Sequence, residues 1–273
     1  MKIPATVVII AENEAKNIDF ALRSIHDRFS DIVVVDAYSN DGTAQICANY
    51  PAVRVCQHAF ENWAEQRNWA LENCGISTDH VLFLDADEFL TEEFLSELAA
   101  LFSSGKRFDA VAMMPEFIFM GKKLRFSYGH PLIRRLFRRE GLHFVCEGAR
   151  ERAVSGPILL RFQVPFVHHD RKGLLFWLSK HLRNAEREAQ FYGMRPVGAE
   201  YSADLKLRTW LRGYVWDRLP LLLRPFLYFF VRYVVRLGFL DGAAGFVYCF
   251  LHAFWYPMVI DLLILERRFK ELV

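Results

Sequence analysis

The feature that most limits what this chain can fold into is a recurring pattern in its N-terminal part. Short β-branched runs are each followed by polar residues and then by a helix-like stretch. Thr6 to Ile10, Ile32 to Val35, Val53 to Cys56 and Val81 to Leu84 are the runs. Apolar runs without polar alternation belong to strands covered on both faces. Between them, Asn13 or Glu14 can open a helix carrying Ile18, Ala21, Leu22 and Ile25. Thr43 begins another, and residues 62 to 74 read as a third. This alternation predicts right-handed βαβ units and an α/β fold with a mainly parallel central sheet flanked by helices. Ligands of such sheets gather at the carboxyl ends of strands. Here those ends carry Glu12-Asn13-Glu14, Asp36 to Asp41, and Asp85 to Glu88.

Asp85-Ala86-Asp87 is the most informative triplet. Alternate residues of an extended segment share a face, so both carboxylates are expected to meet one hard cation, Mg2+ or Mn2+. Such an ion holds a diphosphate and stabilises charge growing on it. The plainer reading is a set of exposed acids that follow a strand and start a helix through Glu88. Asp87 is expected at a solvent-facing strand end, so its loss should spare the fold. Asp36 to Thr43 is open to two readings: an ordinary turn and helix cap, or a loop in which Asp36 accepts a hydrogen bond from a base or ribose and Gly42 lets backbone approach the ligand.

Together these segments resemble the family 2 glycosyltransferases, the large inverting GT-A (Rossmann-like) family. Val7 to Ala11 with Glu12, Asn13 and Glu14 looks like its opening strand and nucleotide loop. Asp36, Ser39 and Asp41, followed by Gly42-Thr43, resemble its DxxSxDGT element. Asp85, Ala86 and Asp87 resemble its metal motif, and Gln66-Arg67 the helix segment near the nucleotide. The resemblance is strong over residues 3 to 100. It implies a nucleotide diphosphate-sugar donor, with a UDP-sugar as the first expectation, and a metal at Asp85 and Asp87. A looser resemblance to lipopolysaccharide-core-type glucosyltransferases rests on the DADE motif and Arg135-Leu136-Phe137-Arg138, with Cys146-Glu147 where that subgroup tends to show His-Glu. It implies Glu147 as the general base, with Glu151 or Asp170 as alternatives. It also implies a late histidine near the metal, for which His168 and His169 are the candidates. Arg135 and Arg138 are candidates to bind a phosphorylated acceptor, against the plainer reading of a solvated basic face. The acceptor implied is a glycan or lipid-linked molecule such as a lipopolysaccharide core.

A net charge of +2 over 273 residues gives no reason to expect nucleic acid as a partner. Five scattered cysteines without a CxxC pair fit neither a disulfide framework nor a zinc site. With no apolar leader in Met1-Lys2-Ile3-Pro4, a cytoplasmic catalytic part is expected. Residues 174 to 192 read as a helix with Leu178, Leu182 and Ala185 on one face. Gly242 to Ile260 carries no Asp, Glu, Lys or Arg, and Phe226 to Val235 is apolar with Arg232 and Arg236 at helical spacing. The expected division is a catalytic domain over 1–205 and a C-terminal helical, membrane-associated appendage over 206–273. That appendage is expected to lie at the cytoplasmic leaflet of the inner or plasma membrane, peripheral or monotopic, rather than to span it. Two other readings stay open: a non-catalytic nucleotide-binding membrane docking module, and a haloacid dehalogenase-like phosphohydrolase.

Overall fold

The computed structural model describes residues 2–147, 150–192 and 219–271, with the side chains of Glu147 and Arg150 set aside. The expected boundary at 205/206 lies outside the described residues. The chain forms two compact units, one of residues 1–118, 130–146 and 151–172, the other of 119–129, 147–150 and 173–273. The second unit thus takes in the predicted helix over 174–192 and a segment from the middle of the chain, which the sequence had placed with the catalytic part.

The first unit opens with β1 (Ile3–Ala11), α1 (Ile18–Ile25), β2 (Phe29–Asp36), α2 (Thr43–Ala48), β3 (Val53–Gln57), α3 (Trp63–Asn73) and β4 (His80–Asp85), the alternation expected. It continues through β5 (Glu88–Phe89), α4 (Glu92–Ser103), β6 (Ala110–Met113) and β7 (Pro115–Phe119). After β8 (Lys122–Lys123) come β9 (Ile133–Arg138), β10 (His143–Glu147), β11 (Arg150–Val154), β12 (Leu159–Arg161) and β13 (Phe166–His168). Seven strands form the main sheet in the order β12-β6-β9-β4-β1-β2-β3. Its strands pair in parallel except β9, which runs antiparallel to both β4 and β6.

The absence of alternation in the apolar runs has its cause in this sheet. Val7 and Ile9 face one core with Ile32, Val34, Leu82 and Leu84, while Val8 faces the other with Val33, Val35, Val81 and Phe83. Helices cover both sides, with Ile18, Leu22, Phe94 and Leu98 on the first and Ala64 and Ala70 on the second. Each fully buried Val, Leu or Ile contributes about 1.5–3 kcal/mol. The helix starts are fixed by side chains: Asn62 accepts from the Glu65 amide at 2.9 Å and Thr91 from the Phe94 amide at 3.2 Å. Such a cap is worth about 1 kcal/mol.

Among its described residues the second unit is helical apart from the β8 segment and the ends of β7, β10 and β11. Its helices are α5 (Leu174–Gln190), α6 (Arg224–Phe230), α7 (Gly242–Cys249) and α8 (Tyr256–Lys270). α6 runs on through a wide turn at Val231–Val235, and α7 joins α8 through another at Phe250–Trp255. From Gly238 to Lys270 this makes one 33-residue helix, the one helix among the described residues long and apolar enough to cross a membrane. The buried stripe of α5 runs through Ala185 and Ala189, whereas Leu182, expected to join it, is 44% exposed. Small side chains on this face let α8 lie close. The buried charged groups among the described residues of this unit have partners inside it. Arg224 and Asp261 form a buried ion pair, and Asp241 accepts from the backbone amides of Arg125, Phe126 and Ser127 at 2.8–3.0 Å. A Cβ on Gly245 would lie 2.4 Å from the Gly238 carbonyl oxygen, so only glycine lets α7 close onto that turn.

Candidate active site

The carboxyl ends of β1, β2 and β4 lie side by side, because those strands are neighbours and run parallel. The loops after β1 and β2 are stitched together. The Asn13 amide donates to Ser39 Oγ at 2.8 Å, the Glu14 amide to Thr43 Oγ1 at 2.8 Å and the Ala15 amide to Asp41 Oδ2 at 3.0 Å. In return, the Asn40 amide donates to Asn13 Oδ1 at 3.0 Å. Ala11 is the last residue of β1 and is buried, and Glu12 is exposed beyond it. Asn13 and Tyr38 both hold left-handed backbone, φ 54° and 55°, conformations that cost energy in non-glycine residues and cluster at functional sites. At Gly42 φ is 97°, which accounts for the glycine whatever approaches it.

Asp36 is fully buried, and its carboxylate accepts from the Ser39 amide at 3.2 Å. Gln66 is held over the end of β3 by His58: its Nε2 donates to the His58 carbonyl at 3.1 Å, and its Oε1 meets His58 Nδ1 at 2.9 Å. Glu14 meets Lys172 Nζ at 2.5 Å and accepts from Asn17 Nδ2 at 2.9 Å; that Asn17 amide group also reaches Asp170 at 2.9 Å. Burial raises the Glu14 carboxyl above its ordinary value, with Lys172 pulling the other way. Lys172 carried no signal in the sequence, since a lysine after a His-His pair reads as a surface cation.

The acidic tip of β4 departs from the sequence expectation. The strand ends at Asp85, and Ala86-Asp87 form a turn, so the two-residue alternation that was to place both carboxylates on one face does not apply. Asp85 faces two arginines. Arg135 donates to it through both terminal nitrogens, at 3.0 and 2.5 Å, and Arg67 Nη2 stands 3.5 Å away. Arg135 is itself buried and also bonds Glu88, whose other oxygen accepts from the Asp85 amide at 2.9 Å. Burial would raise the Asp85 carboxyl, but Arg135 and Arg67 outweigh it and hold it below its usual value. Glu88, with no exposed surface, is pushed up to about 7 by burial despite Arg135.

Asp87 faces elsewhere, toward His168 Nε2 at 3.3 Å, and His168 Nδ1 lies 3.7 Å from Glu88. The placement follows from β13 pairing antiparallel to β5, which sets His168 opposite Glu88. Burial acts to lower the His168 pKa, yet Asp87 and Glu88 prevail and lift it to about 9. Asp87 is 8% exposed, not solvent-facing as expected, because β13 covers it: the His169 amide donates to its carbonyl at 2.8 Å. Among the described residues no group of three or more His, Cys, Asp or Glu side chains forms a complete metal cage. What the chain offers is one carboxylate and one imidazole side by side.

Arg135 lies inside this cluster, and Arg138 is at the surface with Glu140. Glu147 ends β10, its side chain outside the described set. Glu151 on β11 pairs with Arg67 Nη1 at 2.7 Å, and its Oε2 is buried without a hydrogen-bond partner among the described residues. Burial raises the Glu151 carboxyl, with Arg67 opposing. Glu88 and Glu151 are the residues of this cluster that sequence patterns missed as site members or ranked low. Their importance comes from partners 47 and 84 residues away (88 to 135, 67 to 151).

The family model described as Glycosyl transferase family 2 matches residues 6–161, more than half of the chain. The prophage-derived glycosyltransferase SunS of Bacillus subtilis is 32% identical over 96 residues, 34% of this chain and 22% of SunS. The lipopolysaccharide core biosynthesis glycosyltransferase LpsC of Rhizobium meliloti is 34% identical over 106 residues, 36% of this chain and 38% of LpsC. The chain thus matches well under half the length of these curated relatives. Among solved structures, S. aureus TarS 1–349 in complex with UDP-GlcNAc gives a TM-score of 0.51 at 17% identity, covering 99% of this chain and 92% of that one. The mannosyltransferase PcManGT from Pyrobaculum calidifontis in complex with GDP-Man and Mn2+ gives 0.50 at 17% identity, covering 100% and 88%. These likenesses establish a GT-A fold, and that fold and family set aside the haloacid dehalogenase-like reading. With the stitched loops, the acidic β4 tip and the family match all falling in one stretch of sequence, the chain belongs to glycosyltransferase family 2.

Proposed function

We propose that this protein is a metal-dependent inverting glycosyltransferase that moves a sugar from a nucleotide diphosphate-sugar, a UDP-sugar first among them, to a glycan or lipid-linked acceptor such as a lipopolysaccharide core. It works at the cytoplasmic face of the membrane. The observation that carries the reading is the Asp87–His168 pair beside a neighbouring acid cluster already neutralised by Arg135. A divalent ion bound by one or two side chains normally fills its other positions with water and phosphate oxygens, so this donor set fits. Asp87 and His168 would hold the ion once the imidazole gives up the proton it holds against Asp87, and the imidazole favours Mn2+ over the harder Mg2+. When bound, the ion neutralises charge building on the leaving diphosphate.

The chain's own groups do the rest. The Asn13 to Ala15 and Asp36 to Asp41 loops, tied to each other by hydrogen bonds, form a preorganised seat for the nucleoside, with Asp36, Gln66 and Arg67 beneath it. Asp85, held in place by Arg135 and Arg67, is left for contact with the donor rather than for the ion. A carboxylate must then take the proton of the acceptor hydroxyl as it attacks the sugar carbon from the face opposite the diphosphate. Glu147 is that base in this reading. Glu151 is the second choice, favoured by its raised pKa and its unpartnered Oε2.

The test is Mn2+-dependent UDP binding and UDP release from a panel of UDP-sugars. Asp87→Asn should lower turnover by at least about a hundredfold, the scale of a lost electrostatic contact to the reacting group. Glu147→Gln or Glu151→Gln, whichever is the base, should keep UDP binding and lose transfer. Near-normal turnover in Asp87→Asn refutes the metal reading.

A further inference from the structure

Within the helical unit, α6 with its following turn and the helix beginning at Gly238 fold back on one another. Phe226 packs on Phe254 with ring centroids 4.9 Å apart, and Tyr233 on Phe246 at 5.5 Å. The outer side of this hairpin is apolar. Phe226, Phe230, Leu237, Phe239, Leu240 and Phe246 are each 43–55% exposed, and they run from one arm across the turn to the other. Contiguous apolar surface of this kind marks a site of interaction.

Charge decides what covers it. Between residues 219 and 260 the charged residues are Arg224, Arg232, Arg236 and Asp241. Arg224, Arg232 and Asp241 are buried, and each has its partner inside the unit: Asp261 for Arg224, the Ser127 carbonyl and Tyr228 for Arg232, and the 125–127 amides for Asp241. Arg236 in the turn is exposed. The segment that Asp241 grips, Phe119 to Gly129, contains no acid and exposes Lys122, Lys123 and Arg125 beside Met120 and Phe126. Among the described residues of the hairpin and of this segment, the exposed charge is therefore all positive, set against aromatic and aliphatic side chains.

We propose that the α6–α7 hairpin and the Phe119–Gly129 segment together form a docking surface for an anionic phospholipid leaflet. The hairpin lies in the plane of the interface, its apolar crest sinks to the acyl boundary, and Lys122, Lys123, Arg125 and Arg236 sit among the phosphates. This deepens the membrane reading above and rests on it. A crossing is opposed by packing. α8, the second half of the long helix, lies against α5, with Arg267 donating to the Ala189 carbonyl at 3.1 Å. α5 exposes Arg183, Glu186 and Arg187, which α8 would have to carry into hydrocarbon, where each charge costs several kcal/mol.

Flotation of the full chain with preformed vesicles tests this, using phosphatidylcholine alone and phosphatidylcholine mixed with phosphatidylglycerol. The wild type should float with the mixed vesicles and bind those without phosphatidylglycerol at least about tenfold more weakly, given about 1 kcal/mol per basic residue near the surface. Phe239→Asp with Leu240→Asp should lower binding to both vesicle types about tenfold or more, since both side chains would leave the apolar boundary. Lys122→Glu with Lys123→Glu, on a different segment, should remove only the preference for the anionic lipid, and it serves if the apolar pair does not fold. Equal flotation of all variants overturns the proposal. So does a wild type that stays unbound, or one that instead forms a dimer split by the Phe239→Asp, Leu240→Asp pair. Mn2+-dependent UDP binding on the same samples separates the two readings. Binding without flotation sinks the docking surface alone, and flotation without binding sinks the transferase reading.

Discussion

Replacing Arg135 by methionine removes the cation that faces Asp85 and Glu88 from inside the fold. Glu88 has no exposed surface, and its remaining hydrogen-bond donor is the Asp85 amide, with His168 Nδ1 3.7 Å away. Leaving one member of a buried ion pair behind costs about 3–5 kcal/mol. Asp85, which is 38% exposed, can turn toward water, so most of that cost falls on Glu88. Glu88 can escape part of it by staying protonated. Its carboxyl already sits at about 7 against an ordinary 4.5, and loss of Arg135 raises it further. A carboxyl raised in the folded state contributes stability at pH values below its unfolded pKa, and that contribution fades as pH climbs toward the folded pKa. In the wild type the fading stops near pH 7. In Arg135→Met it continues, at about 1.4 kcal/mol per pH unit. Denaturant unfolding of both proteins at pH 6, 7 and 8 should therefore show a gap that widens with pH. A gap under about 1 kcal/mol that stays flat across this range would refute the view that Arg135 neutralises Glu88.

Two further outcomes concern the helical unit. Arg224→Met or Asp261→Leu alone should lower its stability by about 3–5 kcal/mol, because the partner left behind is at most 2% exposed. The double substitution should recover most of that loss; thermal unfolding of the three variants decides it, and a double variant as weak as the singles rules out the buried pair as the cause. His181, stacked on Trp177 at 3.5 Å, is held neutral by burial with its pKa lowered to about 4. As pH falls from about 6.5 toward 4 the unfolded chain takes up this proton first, so stability drops over that window. His181→Gln should flatten the drop in a pH series of melting curves, and an unchanged slope would mean that the stacked imidazole is not the titrating group.

The strands and their order of appearance were legible because both faces of β1, β2 and β4 are covered, leaving unbroken apolar runs that end where the polar loops begin. The loop residues Asn13, Ser39, Asp41 and Thr43 were legible for a related reason, since short polar side chains are the ones that can bond nearby amides. The DxD geometry was not. Alternation applies to extended chain, and the chain turns after Asp85. Arg135 stood with Arg138 as a candidate to bind a phosphorylated acceptor or else as part of a solvated basic face, because arginines cluster there in sequence, while an antiparallel β9 turns Arg135 inward to Asp85. Lys172, Glu88 and Glu151 acquire meaning only from contacts with residues far apart in sequence, which no local pattern records. The Gly238 to Gly242 stretch holds the Asp241 carboxylate that caps residues 125–127, a contact that joins segments more than a hundred residues apart.

That cap has a consequence for anyone who wishes to trim the protein. Removing everything after residue 218 would look like deleting a greasy tail, yet it would strip three consecutive amides of their acceptor in the middle of the remaining sequence and take Tyr248 away from the buried Phe119 ring, 5.4 Å from it. The C-terminal helices complete a piece of the chain that precedes β9, so the two must be expressed, moved or exchanged between homologues together.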